Sequence, residues 1–267
     1  GLGYKWSAYR YLTPSLEDLD KDSHDFNFDL TWKFLPKTAY VLEGDFSLIQ
    51  YSSNQRGFGD GKIDNVNSTP LHVKTGLSGL ISRRVSTRLL AGYALGFYEQ
   101  GASYQGLIGQ ADVRYDYGNL GLDNHVSLGY RRTFDDATIG NYYSSHTANV
   151  ELRQNFLQKR FGFSVNGRYI WRDYSDIGLE NQRSGIPVTK NEQGDVILAP
   201  EEFNDNYLSA GVGLHSEFLD WWKASLEYQF EGNFTDDQAN TRRGGQQIDY
   251  FRSYMRHEVL LTTTIKY

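Results

Sequence analysis

DYFRSYMRHEVLLTTTIKY, residues 249–267, decides the fold of this chain. Taken alternately, Phe251, Ser253, Met255, His257, Val259, Leu261, Thr263, Ile265 and Tyr267 share one side. Arg252, Tyr254, Arg256, Glu258, Leu260, Thr262, Thr264 and Lys266 share the other. A period of two is the signature of a β-strand. One side turns apolar toward the end, and the other stays mostly charged or polar.

The same rhythm recurs upstream. Phe26, Phe28, Leu30, Trp32 and Phe34 alternate with Asp25, Asn27, Asp29, Thr31 and Lys33. Tyr40, Leu42, Gly44, Phe46 and Leu48 alternate with Val41, Glu43, Asp45, Ser47 and Ile49. Later sets follow the same rule: Val126, Leu128, Tyr130 and Phe134 against Ser127, Arg131 and Thr133; Ala148, Val150, Leu152 and Phe156 against Asn149, Glu151 and Arg153; Val165, Tyr169 and Trp171 against Asn166, Arg168 and Arg172. We count about twelve strands, each near the roughly ten residues a tilted strand needs to cross a bilayer. Short turns fall near Pro36, Arg84, Asn119, Lys159 and Asp220. Longer loops fall near Asp18, Gly59, Ser103, Ala137, Gly194 and Asn240.

The 267 residues include 20 Tyr, 15 Phe and 5 Trp but only 5 Pro and no Cys, at a mean hydropathy of −0.59. The longest uncharged apolar run, Leu89–Tyr98, is too short for a membrane helix. Low hydropathy with many aromatics suits a barrel in which only alternate residues face lipid. A soluble β-sandwich also alternates, but here the apolar side carries no charge along the middle of any strand. Arg10, Arg132 and His146 break that side only toward the long-loop ends. Charge at a bilayer midplane costs roughly 2–4 kcal/mol on such a face, so its absence favours the membrane.

The expected fold is therefore all-β: a single domain over residues 1–267, a closed antiparallel up-and-down transmembrane barrel with short periplasmic turns and long extracellular loops. The longest loop, about 173–206, reads as an extracellular hairpin, with Ile186–Thr189 and Val196–Leu198 flanking a Gly-containing turn.

The polar set then lines the interior. Asp25, Asp29, Glu43 and Asp45 form an acidic wall, and Arg131, Arg153, Arg168 and Arg172 form a basic one. In a ring of about twelve strands these walls face each other. Two readings stay open. Either a transverse field spans a water-filled passage, or the charges pair with neighbours and fill a polar plug. Glu217, Glu227 and Glu231 are expected to be neutralised by Arg252 and Arg256.

Asp18, Asp20 and Asp22 alternate as in a calcium loop. Ser23 stands where the glycine belongs, and Asp29 where the bidentate Glu belongs, so an acidic surface loop is expected and no metal. Gly57–Lys62 lacks the following helix of a phosphate loop. His146 with Ser144 or Ser145 is the one hydrolase-like grouping, and no motif supports it. The expectations are no enzyme, no catalytic residue and no cofactor. A net charge of −6 gives no reason to expect nucleic acid.

Phe34-Leu35-Pro36-Lys37-Thr38 followed by Tyr40–Gly44, and Arg256-His257-Glu258-Val259 leading into Leu260–Tyr267, resemble the β-barrel porins encoded with exopolysaccharide gene clusters. The whole chain resembles bacterial outer-membrane porin-like barrels, in which the C-terminal aromatic is an assembly signal. The resemblance implies an outer-membrane passage for solutes or polysaccharide. It implies outer-membrane lipid, lipopolysaccharide and the barrel assembly machinery as partners, with periplasmic export proteins beside them. Ladders of Arg suit acidic glycans, because the guanidinium fork binds carboxylate and sulfate bidentately. A plugged structural or adhesion barrel acting through its loops is the alternative.

Overall fold

A computed structural model describes residues 1–12, 17, 19–53, 55–58, 61–99, 103–137, 142–174, 189–190, 196–197, 203–219, 221–235, 238–243, 246–251 and 253–265. Asp18, Gly59, Arg252, Tyr267 and most of the 173–206 loop lie outside these residues. Strands run in chain order as β1 (Leu2–Tyr9), β2 (Lys21–Leu35), β3 (Thr38–Tyr51), β4 (Gln55–Phe58), β5 (Gly61–Asp64), β6 (Ser68–Leu80), β7 (Val85–Tyr98), β8 (Tyr104–Asp116) and β9 (His125–Asp136). The second half holds β10 (Tyr142–Phe156), β11 (Phe161–Tyr174), β12 (Thr189–Lys190), β13 (Val196–Ile197), β14 (Phe203–Leu219), β15 (Trp222–Thr235), β16 (Gln238–Arg243), β17 (Gln246–Phe251) and β18 (Tyr254–Ile265).

Twelve of these form one antiparallel sheet in the order β1-β2-β3-β6-β7-β8-β9-β10-β11-β14-β15-β18. Each strand lies beside its predecessor in the chain, which is an up-and-down meander. The pairs β4–β5, β12–β13 and β16–β17 are separate two-stranded ribbons inside the long connections. Thr189 pairs with Ile197 and Lys190 with Val196, within the segment read as a loop hairpin. β1 and β18 stand at the two ends of the order.

Register explains the sidedness. Val85, Tyr115, Val126, Leu152, Val165, Val212, Tyr228 and Val259 are successive cross-strand partners, a continuous apolar row over eight strands. A slip by one residue in any strand would turn its charges into this row, so the register is strongly specified. The apolar side faces outward. Leu107 is 68% exposed, Trp32 64% and Leu128 57%, and Val150 and Leu226 are also exposed. Phe28 and Leu42 are half-buried rather than central. A water-soluble fold would bury this set; here it forms the lipid-facing belt of a transmembrane β-barrel.

The short connections are tight for local reasons. Pro36 and Lys37 form the β2–β3 turn, where a missing N–H is tolerated. Between β8 and β9 a 3-10 turn at Leu120–Leu122 is capped by the Asn119 side chain, which accepts from Gly121 N at 3.1 Å. It ends on Asp123 in the left-handed region, φ 58°. The β10–β11 turn places Leu157 and Lys159 at positive φ, 47° and 75°.

Candidate functional site

The inward set is mostly polar; Ala39, Val41 and Leu90 are buried apolar residues on that side, and a larger apolar cluster lies near the long-loop rim. Ala94 on β7, Tyr104 and Ile108 on β8 and Phe134 on β9 form a buried cluster, with Tyr98 and Tyr142 packed against it. Phe134 was expected on the lipid side with Tyr130. It is 8% exposed and faces inward, whereas Tyr130 is exposed as expected. The cause is a change of course in β9. The β8–β9 ladder stops at Gly109–Arg132, although β8 runs on to Tyr104 and β9 to Asp136. The β9–β10 ladder continues to Asp136–Tyr142. Above Arg132, β9 parts from β8 and turns inward, while β10 stays paired to β11 as far as Ser144–Asp173.

Beside the β9–β10 ribbon lies a cavity of about 370 Å³. Its charged lining is Asp45, Lys74, Arg131, Arg132, Asp135 and Arg172. Three of the expected wall residues thus meet in one place: Asp45 from the acidic wall, Arg131 and Arg172 from the basic wall. The other five lie elsewhere. Asp25 accepts from Ser23 Oγ and Ser47 Oγ at 2.8 and 2.7 Å. Asp29 lies 3.6 Å from the Gly1 ammonium. Glu43 is held by Lys74 at 3.7 Å and by Arg88. Arg153 pairs with Glu151 at 3.3 Å and Asp123 at 3.6 Å, toward the short-turn end. Arg168 sits between Asn149 and Ser209 in register.

Register decides which charges are compensated. Glu43 is directly opposite Lys74, and Asp45 directly opposite His72, whose Nδ1 lies 2.6 Å from the Asp45 carboxylate. Within the acidic wall, Glu43 is therefore neutralised from the neighbour strand by Lys74, and Asp45 is hydrogen-bonded there by His72. On the basic side, Arg172 lies 3.7 Å from Asp205 and over the rings of Tyr143 and Tyr207. Arg131 and Arg168 make no hydrogen bond or ion pair among the described residues. Arg131 faces Gln110 and Thr147 across the ladders, neither of them charged. Glu217 is held by Lys223, and Glu231 lies 3.9 Å from Arg256.

At the opposite end, Asp123 gathers Arg114 at 2.7 Å, with Arg153 at 3.6 Å and the His125 ring at 3.5 Å. Burial alone would raise the Asp123 carboxyl. The Arg114 hydrogen bond and the charges of Arg114, His125 and Arg153 outweigh it and hold the group below the ordinary carboxylate range. Asp116, Asp123 and His125 come close enough to suggest a metal site. Arg114 already bonds both carboxylates, so the cation there is a guanidinium.

No family model matches the chain, and no curated protein does. One solved structure, a NanC porin in a rhombohedral crystal form, is similar over 100% of this chain and 98% of its own, at 8% identity and a TM-score of 0.33. A likeness at that level carries no weight, and the fold stands on strand order and sidedness alone.

His72, Lys74, Arg132 and Asp135 are the cavity residues that the wall assignment did not include. His72 and Lys74 alternate inward with Leu71, Val73 and Thr75, so their side was legible in the sequence. Their partners were not, because the length of the 52–67 connection hides the register.

Proposed function

We propose that this chain is an outer-membrane channel whose lumen favours anionic solutes, acidic glycans among them. The lipid belt supports residence in a membrane, and the strand order supports a cylinder with a polar interior. The observation that carries the preference for anions is local: Glu43 is matched by Lys74 and Arg88, and Asp45 is bonded to His72, while Arg131, which lines the cavity, and Arg168 have no ion-pair partner among the described residues. An uncompensated guanidinium in a narrow aqueous lumen attracts carboxylate and sulfate groups and repels cations. No cofactor enters this function, and the chain does no chemistry on what it passes. Bacterial outer membrane as location, lipopolysaccharide as lipid partner, and periplasmic export proteins as accessory partners belong to the same proposal.

The test is single-channel recording in a planar bilayer. Stepwise currents with anion preference are expected. Replacing Arg131 and Arg168 together with Ala lowers the anion-to-cation permeability ratio; an unchanged ratio rejects the anion reading, and a silent protein rejects the channel. The plugged, loop-acting barrel keeps one observation in its favour, the ribbon that turns into the lumen above Arg132.

A further inference from the structure

The inward ribbon is fastened, and the fastening converges on one carboxylate. Asp136 accepts from Ser68 Oγ on β6 and from Tyr98 Oη on β7, both at 2.5 Å. One turn of the ladder away, the Phe134 carbonyl lies 3.0 Å from His72 Nε2 on β6. The Phe134 ring stacks on Tyr104 of β8, with centroids 5.2 Å apart and planes 9° from parallel. These partners come from three consecutive strands, so the ribbon lies across the inner surface of β6, β7 and β8. That surface is built low. Ala94 is fully buried, and a Cβ on Gly106 would stand 2.9 Å from the Phe134 ring. Thr133 and Asp135, on the ribbon's other side, line the cavity with Arg131 and Arg172.

We propose that Asp136 is a latch: a positioning residue that pins the β9–β10 ribbon across the lumen and so sets the width of the passage beside Arg131. Hydrogen bonds to an ionised carboxylate are stronger than neutral ones, and one carboxylate serving two hydroxyls closes the ribbon against two strands at once. Phe134 and its glycine floor supply shape, and Asp136 supplies the hold. The proposal rests on the channel reading for what the width does, but the hold itself is read without current.

The chain has no cysteine, so Ala137→Cys places a single thiol next to the latch. Ala137 is half-buried against the Tyr174 cluster. Labelling of that thiol by a membrane-impermeant maleimide, on protein refolded into vesicles, is expected to be slow. Asp136→Asn, and separately the Ser68→Ala/Tyr98→Phe double substitution, should each speed it by about tenfold or more, the order that follows from losing charge-assisted hydrogen bonds. The double substitution leaves the ribbon's own sequence intact, which guards against a variant that misfolds. Retained heat-modifiable migration in both backgrounds shows that the barrel has formed. Unchanged labelling in both overturns the latch, whether or not the protein conducts. Faster labelling with a raised single-channel conductance supports the whole proposal. Faster labelling with unaltered conductance in a conducting protein overturns the claim about width. A wild type that never conducts removes the channel reading and leaves the latch to be decided by the labelling alone.

Discussion

Placing Arg at Val212 tests which side of the sheet meets hydrocarbon. Val212 is 46% exposed and is the direct partner of Val165 and Tyr228, in the middle of the apolar row. It lies six positions from Phe218, whose ring packs against Trp222 with centroids 4.8 Å apart at the short-turn rim. At about 3.3 Å per residue and a tilt of about 40°, six positions raise it roughly 15 Å above that aromatic girdle. The apolar band of such barrels is about 25 Å tall, so Val212 is near its middle. Arg there should cost roughly 2–4 kcal/mol, which lowers the folding equilibrium constant by about 30- to 1000-fold. The comparison variant is Asn166→Arg, an exposed inward position on β11. Guanidinium titration of folding into vesicles, read by tryptophan fluorescence, gives both free energies. We expect a large loss for Val212→Arg and a small one for Asn166→Arg. Equal losses, or a larger one for Asn166→Arg, would refute the outward placement of the apolar side and with it the membrane fold.

Four further outcomes follow from named contacts. Glu43→Gln leaves Lys74 and Arg88 without their carboxylate; stability should fall by about 1 kcal/mol, since the three side chains are partly solvated, and anion preference in a bilayer should rise. Gly106→Leu drives a side chain into the Phe134 ring and should speed thiol labelling at Ala137→Cys as unlatching does. Lys159→Gly removes a side chain from a backbone at φ 75° and should stabilise by roughly 0.5–1 kcal/mol in the same guanidinium titration. Asp123 has a pKa held below its unfolded value, so the stability it contributes is present above about pH 4 and is lost as pH falls through the lower, folded value. Amide protection factors in residues 117–124, corrected for the intrinsic exchange rate at each pH, should therefore fall only in acid, and Asp123→Asn should abolish that acid limb.

Most of the sheet was legible because alternation is a local signal. Leu226, Tyr228 and Phe230 against Ser225, Glu227 and Gln229 need no partner strand to be assigned to opposite sides. Charge pairing was not legible, because Glu43–Lys74 and Asp45–His72 depend on a register set across a long connection. Phe134 misled for another reason: its parity is correct for a lipid-facing residue, and the ladder that would have kept it there ends at Arg132. The sequence does hold a warning. Asp135 and Asp136 are consecutive, so neither side of the ribbon at that level suits hydrocarbon.

The meander has an engineering corollary. Every strand of the main sheet between its two end strands is hydrogen-bonded to the strands before and after it in the main-sheet order, and the extra ribbons lie within single connections. Excising or duplicating one hairpin unit, such as β14–β15, would alter the circumference by two staves without rethreading the rest, so girth is a trait this architecture can change by whole-unit editing.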